Sequence, residues 1–491
     1  MKQLIYQLLP RLWSNGRFSG VDTPCLAYFK DLGVDAVWYT GVIRHATRRT
    51  DAGCTPSKVV KGDAGSPYAI TDYYDVNPYL ADDPSRRMEE FQRLVERTHG
   101  AGLKVIIDFV PNHVAREYTG AATPAGECPL GADDDFYTYP GEALRLPVDA
   151  DGYTEYPARA SGNCFTPAPG IYDWYETVKL NYGDTHTATW EKMYRIVRFW
   201  AQKGVDGFRC DMVELVPPQF LQWLIAQIKA EFPEVIFIAE VYEKEKYRMY
   251  VEEVGFDLLY DKSGLYDTLR AVTCSGASAQ GITWNWQFLG DLQPRMLNFL
   301  ENHDEQRVAS SFFCGSPEAG YAALAVSLLL NNAPFMLYFG QEIGEPGMDA
   351  EGFSGLDGRT TIFDWWSVKS LQRLRQWIGG AGSGLLPEEQ DVLRRYREIL
   401  ALSCQKPFAE GLTYDLCYCQ DALSFNVQRH FAFLRSAGQQ ACLVVANFSP
   451  AAEEMTVRIP PEALQYTGIK AVRTVYTLTV AARDYVCVPV E

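Results

Sequence analysis

The sequence predicts an α/β protein: a (β/α)8 TIM barrel with a small domain inserted after strand 3 and an antiparallel β-sandwich domain at the C-terminus. Two observations support this fold. Apolar strand runs alternate with amphipathic helical patterns over most of the chain, and such runs form a parallel sheet that is buried on both faces. The alternation is interrupted at residues 111–186 and ends near residue 406, which predicts the two additional domains.

Eight apolar runs are the strand candidates of the barrel. They are LIYQLL (4–9), DAVWYT (35–40), KVIIDFV (104–110), GFRCDM (207–212), VIFIAEV (235–241), FDLLYD (256–261), MLNFLE (296–301) and PFMLYFG (334–340). Helical patterns such as SRRMEEFQRLVERTHGAG lie between them, and some begin near Ser or Pro or end at Gly, as helix caps predict. Eight strand–helix units fit a closed barrel. A doubly wound sheet is the alternative, although no Gly-rich phosphate loop follows the first strand.

The two interruptions set the expected domain boundaries. Residues 111–186 are rich in Gly, Pro, Asp and Tyr, and an irregular stretch of that length is either functional or a small inserted domain. From residue 406 onward, short alternating runs such as LSFNVQ and HFAFLRS are separated by turns, which indicates an antiparallel β domain. We therefore expect a barrel of residues 1–110 and 187–405, an inserted domain of residues 111–186 and a C-terminal domain of residues 406–491.

Composition and charge exclude several classes of partner. The net charge of -17 argues against nucleic acid and anionic membranes, because both need a basic patch. AALAVSLLL is too short to span a bilayer, and MKQLIYQLLPRLW lacks the pattern of a signal peptide because Gln3 and Gln7 break its apolar run. The twelve cysteines show no paired metal spacing, so we expect free thiols and a cytoplasmic location.

Charged and amide residues follow four of the predicted strands, at the end where a barrel builds its site. They are Asp108, Asn112 and His113 (third strand), Arg209 and Asp211 (fourth), Glu240 (fifth), and Glu301, Asn302, His303 and Asp304 (seventh). A single residue of this kind is usually a helix cap. Four strands that deliver carboxylates, histidines and an arginine to one rim indicate a catalytic site.

These residue types indicate a particular chemistry. Paired carboxylates without a nucleophilic Ser or Cys suit glycoside cleavage, in which one attacks the anomeric carbon and the other protonates the departing oxygen. Arg209 and Asp211 lie two apart on one strand face, so we expect the arginine to offset the cost of burying Asp211 and to hold it ionised. Glu240 ends an apolar strand with no basic residue within two positions, which favours a protonated carboxyl group.

Four ordered motifs resemble the signatures of the α-amylase family of glycoside hydrolases. DFVPNH matches the first signature, GFRCDMVEL the second, IAEVY the third and FLENHDEQR the fourth, on predicted strands three, four, five and seven. The resemblance covers the whole chain, including the insertion after strand three and the C-terminal β domain. A set of four motifs in this order is specific, whereas any one of them alone is weak.

The resemblance implies a role for each matching residue. Asp211 would be the nucleophile, Glu240 the general acid/base, and Asp304 the third carboxylate, which orients sugar hydroxyls. The residues that hold the sugar at the cleavage point would be Tyr68, Asp108, His113, Arg209 and His303. Among them, Tyr68 in GSPYAITDYYDV would form a stacking platform for the sugar ring.

The resemblance also bears on metal binding. The chemistry requires no cofactor, but a structural calcium ion is compatible with the family, and Asn112 matches one of its calcium ligands. Many members carry a Lys-His pair after the nucleophile where this chain has Glu214 and Leu215, so no metal site is assigned. TVKLN at 177–181 carries Lys179, as in neopullulanases and cyclomaltodextrinases, which favours short or branched α-glucans.

The motifs together predict a retaining hydrolase of α-1,4-glucosidic bonds in starch-type glucans or maltooligosaccharides. One alternative is an α-glucan transglycosylase or a neopullulanase- or cyclomaltodextrinase-type enzyme, because a covalent glycosyl-enzyme can pass its sugar to water or to another sugar. Another is a catalytically inactive sugar-binding relative. Such proteins typically lose a carboxylate, whereas this chain keeps Asp211, Glu240 and Asp304.

Overall fold

A closed barrel of eight parallel strands forms the centre of the protein, and each strand comes from one of the eight predicted runs. The computed structural model describes residues 2–131, 134–349, 353, 355–380 and 384–491. In chain order the barrel strands are β1 Leu4–Leu8, β2 Ala36–Tyr39, β3 Lys104–Phe109, β4 Gly207–Cys210, β5 Ile236–Ala239, β6 Leu258–Tyr260, β7 Met296–Phe299 and β8 Phe335–Tyr338. The predicted (β/α)8 barrel is confirmed.

Closure of the barrel is visible in the pairing of its first strand. β1 pairs with β2, where Ile5 lies opposite Ala36, and also with β8, where Leu4 lies opposite Phe335. Because successive side chains of a strand alternate between its two faces, every second residue points to the barrel axis. The interior is filled by a separate apolar cluster that includes Ile5, Trp38, Ile106, Ile238, Leu297 and Met336.

Helices cover the outside of the barrel, and most of them are amphipathic, whereas Tyr321–Leu329 is buried on all sides. The longer ones are Thr23–Asp31, Arg87–Gly100, Ala188–Gln202, Pro218–Glu231, Asp267–Cys274, Gln280–Leu289, Tyr321–Leu329, Lys369–Ile378 and Pro387–Ser403. In Pro218–Glu231, Phe220, Leu224 and Ile228 recur at helical spacing and are fully buried. No helix in the described part of the chain combines the length and apolarity that a bilayer span requires.

The segment between β3 and Ala188–Gln202 contains short antiparallel pairs joined by irregular backbone. His113–Ala115 pairs with Thr177–Lys179, and Thr138–Tyr139 pairs with Ala158–Arg159. Glu155 ties this segment together, because its carboxylate contacts Arg116 at 2.9 Å and Arg159 at 2.6 Å. These links across the segment support our proposal that residues 111–186 are an inserted domain.

The C-terminal part is antiparallel, as predicted. A four-stranded sheet has the order Leu412–Asp415, His430–Ala437, Gln440–Asn447 and Tyr485–Pro489, and Glu453–Arg458 pairs separately with Val475–Val480. The run LSFNVQ is not a strand, because the amides of Ser424 and Phe425 turn back to the Asp421 carbonyl at 3.0 and 2.9 Å. We propose residue 406 as the start of this domain.

Candidate active site

Four polar side chains continue the inward alternation at the carboxyl ends of β3, β4 and β5. Asp211 follows Arg209 by two residues at the end of β4, and Asp108 of β3 lies opposite Arg209 in the sheet register. Glu240 follows β5 directly. Each of the four residues is at most 6% exposed, so the apolar interior ends in a buried layer of charged groups.

Arg209 connects the carboxyl groups of this layer. Its Nη1 donates to Asp211 Oδ1 at 2.6 Å and lies 3.8 Å from Asp108 Oδ1, and its Nη2 is 2.8 Å from Glu240 Oε2. Three aromatic rings, those of Trp38, Tyr68 and Tyr260, surround the guanidinium at 5.6, 5.3 and 5.5 Å. The cation is therefore shared among several carboxyl groups and shielded from water.

This geometry corrects the expected electrostatics of the carboxyl pair. Glu240 has a basic neighbour after all, because Arg209 reaches it from the adjacent strand. Burial raises the pKa of the Asp211 carboxyl well above its usual range, Arg209 opposes this shift, and the charge of Glu240 adds to it. Arg209 therefore favours the ionised form of Asp211, as expected from the sequence, but burial and Glu240 act against it. One guanidinium therefore contacts two buried carboxyl groups, and the charge of Glu240 works against the ionisation of Asp211.

The chain turns sharply at Met212, just after β4, and this turn connects the ends of β4 and β5. Its backbone lies in the left-handed region, with φ 46° and ψ 46°, a conformation that is uncommon for a residue other than glycine and costs about 1–3 kcal/mol. In this conformation the Met212 N–H donates to Glu240 Oε2 at 2.9 Å. The backbone after Asp211 therefore fixes the carboxyl group that follows β5.

Hydrogen bonds link the loop after β7 to Asp108. The Gln7 amide donates to His303 Nδ1 at 2.8 Å, which places the proton of the neutral imidazole on Nε2. His303 Nε2 is 2.6 Å from the Tyr68 hydroxyl, which donates to Asp108 Oδ1 at 3.2 Å. Burial lowers the pKa of His303 to about 3 and raises the pKa of Asp108 to about 6, so this histidine stays neutral.

Asp304 and His113 stand on opposite parts of the rim. The Asp304 side chain is 44% exposed and lies 3.1 Å from His303 Nε2, and the Arg359 Nε–H donates to the Asp304 carbonyl at 2.6 Å. Burial, with a contribution from the charge of Lys179, lowers the pKa of His113 to about 3. His113 is therefore a neutral hydrogen-bonding group at the wall formed by the inserted segment.

The residues around Asn112 do not fit a calcium ion. The Asn112 side-chain oxygen accepts a hydrogen bond from the Lys179 ammonium, which also donates to the Leu215 carbonyl at 2.5 Å. Calcium needs about 6–8 oxygen ligands, and a second cation beside the ammonium would be repelled. Within the described residues, no group of three or more His, Cys, Asp or Glu could hold a metal. Asn112 is therefore a partner of Lys179 in this structure.

Removing the Lys179 ammonium is expected to destabilise the fold. Lys179→Met leaves the Asn112 and Leu215 oxygens without their donor, which should lower the free energy of unfolding by about 1–3 kcal/mol. Calorimetry of the variant and the wild type measures the difference in Tm. Lys104→Met, at an exposed lysine, is the control. A Tm of Lys179→Met as high as that of the wild type would contradict this account.

A cavity of about 220 Å³ opens above Arg209 and brings together most of the predicted site. Its lining includes the predicted residues Tyr68, His113, Asp211, Glu240 and Asp304. It also includes residues that sequence reasoning missed, namely Lys61, Trp174, Glu176, Thr177 and Tyr242. Lys61 and Glu176 form an ion pair at 3.2 Å between two irregular segments, where no periodic pattern marks a site.

A second cavity, of about 640 Å³, continues from the first. The two cavities share Asp304, Ile362 and Phe363 in their linings. The second extends past Arg359 to Tyr172, whose side chain is 96% exposed. Together the cavities form a cleft with charged groups at its floor and an aromatic ring at its rim.

The parallel barrel and the paired carboxyl groups at its carboxyl rim define a barrel enzyme of the glycoside-hydrolase class. The chain belongs to the α-amylase family, since the family model described as "Alpha amylase, catalytic domain" matches residues 12–376. The family predicted from the four motifs is therefore confirmed.

Named relatives agree with this assignment. Alpha-amylase 3 of Dictyoglomus thermophilum is 25% identical over 398 residues, which cover 77% of this chain and 71% of that protein. Alpha-amylase MalA of Haloarcula japonica is 28% identical over 355 residues, but the chain spans only 44% of its length. The solved cyclic α-maltosyl-(1→6)-maltose hydrolase of Arthrobacter globiformis in complex with that sugar has a TM-score of 0.68 at 18% identity. The match covers 99% of this chain and 98% of the hydrolase. At this level of identity it shows a similar fold.

Proposed function

We propose that this enzyme is a retaining hydrolase of α-1,4-glucosidic bonds in starch-type glucans or maltooligosaccharides. The observation that carries the proposal is the shared contact of Arg209 with Asp211 and Glu240. A retaining mechanism needs two carboxyl groups only ~5–5.5 Å apart, one ionised and one protonated. A single guanidinium between them supports both the short separation and the single proton.

Asp211 is the proposed nucleophile. Arg209 engages its Oδ1, and the residue lines the cavity. In the first step, an Asp211 oxygen forms a bond to the anomeric carbon while the bond from that carbon to the glycosidic oxygen breaks. The Glu240 proton moves to the departing oxygen.

Glu240 acts again in the second step. Its carboxylate removes a proton from water, and the water oxygen attacks the anomeric carbon while the bond to Asp211 breaks. Each step inverts the configuration at the anomeric carbon, so the product keeps the α configuration of the substrate. The glucan, one water molecule and the two carboxyl groups balance both steps.

The proposed sugar-binding residues surround the same carbon. Tyr68 presents a ring against Arg209 and His303, and its fixed hydroxyl makes it a rigid platform for a sugar face. His113, His303 and Asp304 provide neutral and anionic partners for hydroxyl groups. The second cavity supports a substrate longer than a single sugar, because it continues the cleft beyond Asp304.

The configuration of the first product tests the proposal. Maltoheptaose incubated with the enzyme and followed by proton NMR should release sugars in the α form, which then mutarotate slowly to the equilibrium mixture. Heat-denatured enzyme is the control for spontaneous change. Initial release of the β form, or no cleavage of any α-glucan alongside cleavage of sucrose or trehalose, would contradict it.

The same experiment addresses transfer to sugar acceptors. The relatives include an alpha-1,4-glucan:maltose-1-phosphate maltosyltransferase of Cereibacter sphaeroides, 28% identical over 291 residues. Products longer than maltoheptaose would identify transglycosylation by this chain. Parallel incubations with pullulan and cyclodextrins test the preference for short or branched substrates that Lys179 favours.

A further inference from the structure

The Tyr242 hydroxyl lies directly on the proposed acid/base. It donates to Glu240 Oε1 at 2.7 Å, and Tyr242 lines the same cavity as Glu240 and Asp211. The two residues are separated by Val241 after the end of β5. The hydroxyl therefore occupies a position beside the reacting carboxyl group, at the edge of the cleft that receives the substrate.

The backbone of Tyr242 is fixed by a residue from the neighbouring strand end. The Glu214 carboxylate accepts the N–H of Tyr242 at 2.8 Å and that of Glu243 at 3.1 Å. Glu214 stands where the resemblance leads one to expect a lysine, and a lysine cannot accept hydrogen bonds. In this chain Glu214 therefore connects the segment after β4 to the segment after β5.

The two oxygens of Glu240 have different partners. Oε2 accepts the Met212 N–H at 2.9 Å and contacts Arg209 at 2.8 Å, both at the protein side of the group. Oε1 accepts the Tyr242 hydroxyl. Because Oε2 has both the Met212 N–H and the Arg209 cation as partners, whereas Oε1 has the Tyr242 hydroxyl, Oε1 is the oxygen with room for proton exchange with the substrate.

We propose that Tyr242 is a positioning residue that aims Glu240 Oε1 at the departing oxygen and stabilises the Glu240 carboxylate between the two chemical steps. This inference rests on the proposed role of Glu240. When Glu240 has given its proton to the departing sugar, the Tyr242 hydroxyl donates to the new anion. When Glu240 takes a proton from water, that hydrogen bond weakens, so Tyr242 acts on the charged form.

Tyr242 itself remains a neutral phenol. Burial, together with the charge of Glu240, raises the pKa of the Tyr242 hydroxyl far above its usual range, so it is a neutral donor at neutral pH. The titratable and charged groups that interact with Glu240 are Arg209, Asp211, Tyr242, Tyr260 and His303, and Asp304 lines the same cavity. Of these, only Arg209 and Tyr242 contact its oxygens directly among the described residues.

Tyr242→Phe removes one donor from the carboxylate and leaves the ring in place. Loss of one hydrogen bond to a charged group displaces the pH dependence that this group controls by roughly one pH unit. Since the variant destabilises the ionised form of Glu240, the alkaline limb of the kcat/KM profile on maltoheptaose should move to higher pH by about that amount. At acid pH the second step should slow by up to roughly tenfold, because the base is less often ionised.

Tyr250→Phe is the matched control. The Tyr250 hydroxyl lies in the same segment but donates to the Val213 carbonyl at 3.3 Å, so its removal changes packing without touching Glu240. A displaced alkaline limb in Tyr242→Phe alone, with unchanged Tm, supports the inference. An undisplaced limb, or equal displacements in both variants, overturns it.

Glu240→Gln, measured alongside, separates the inference from the proposed function. If Glu240→Gln abolishes cleavage of maltoheptaose while Tyr242→Phe has the wild-type profile, the role of Tyr242 is refuted and the acid/base assignment stands. If Glu240→Gln keeps the wild-type rate, the assignment of Glu240 itself fails, and the inference about Tyr242 fails with it.

Discussion

Asp211→Ala is expected to lower kcat/KM on maltoheptaose by roughly 10⁴-fold or more, the scale seen when a nucleophile is removed from an enzyme. Alanine cannot form the bond to the anomeric carbon, so no glycosyl-enzyme accumulates from any substrate. Added azide should enter the space left by the carboxylate and give a product of inverted configuration. Measurement with maltosyl fluoride and proton NMR reads both rate and configuration.

Glu240→Ala should give a different profile. General acid/base catalysis contributes about 10²–10⁴-fold, so cleavage of maltoheptaose should fall by that factor. A glycosyl fluoride needs little protonation of its leaving group, so the variant should still form the intermediate. Azide should then release a product of retained configuration.

The two carboxyl variants are interpreted together. Asp206→Ala is a useful control, because Asp206 precedes β4 at the opposite end of the barrel and accepts the Val105 N–H at 2.7 Å. It should keep a rate close to wild type. Exchange of the two azide results would reverse the roles of Asp211 and Glu240, and wild-type rates in both variants would place the site elsewhere.

Arg209→Met should lower the free energy of unfolding by about 3–5 kcal/mol at neutral pH, the usual cost of leaving a buried charge without its partner. Arg209 is fully buried and lies within 2.8 Å of two carboxyl groups. Without the cation, Asp211 and Glu240 repel each other in an environment that already disfavours charge. Urea unfolding measures the loss.

The loss should depend on pH in a definite direction. Burial already raises the pKa of Asp211, and the pKa of Asp108 to about 6, in the folded protein. Removing Arg209 raises both further above the unfolded values. Such groups bind protons more tightly when folded, so stability falls as pH rises through the folded pKa. The difference from wild type should therefore shrink towards pH 4 and be largest above pH 7.

Two further variants separate charge from geometry. Arg209→Lys keeps one positive charge, but an ammonium cannot hold two carboxylates in the forked geometry of a guanidinium, so stability should recover more than activity. Arg307→Met removes another fully buried arginine, which contacts Glu301 at 2.9 Å, and should destabilise the fold while the cleft keeps its carboxyl pair. An Arg209→Met variant with wild-type stability at neutral pH would contradict the shared-cation interpretation.

The barrel and the positions of the site residues followed from local patterns. Each barrel strand is an apolar run of a few residues, and a side-chain period of two dictates that Arg209 and Asp211 face the same way. The carboxyl ends of parallel strands meet at one edge, so Asp108, Glu240 and the residues after β7 were expected near them. These expectations depended only on spacing along the chain, which is why the sequence was sufficient.

Electrostatics near Glu240 required the tertiary structure. No basic residue lies within two positions of Glu240 in the sequence, because its cationic partner Arg209 is 31 positions away in the chain but on the neighbouring strand. The upward shift that Glu240 adds to the pKa of Asp211 could not be predicted for the same reason. Arg209 contacts both Asp211 and Glu240. The spacing of Arg209 and Asp211 on one strand predicted the contact with Asp211, but nothing in the sequence indicated the contact with Glu240.

The sequence by itself determined the fold, the family and the order of carboxyl groups around the rim. Only the tertiary structure decided that Lys179 lies where a calcium ion was considered, that Gln7 orients His303, and that Lys61 and Glu176 join the cleft wall. The periodicity of apolar residues in the sequence predicts which face of its own strand a residue occupies. Contacts between side chains on separate loops depend on strand register and loop path, which arise only when the whole barrel closes.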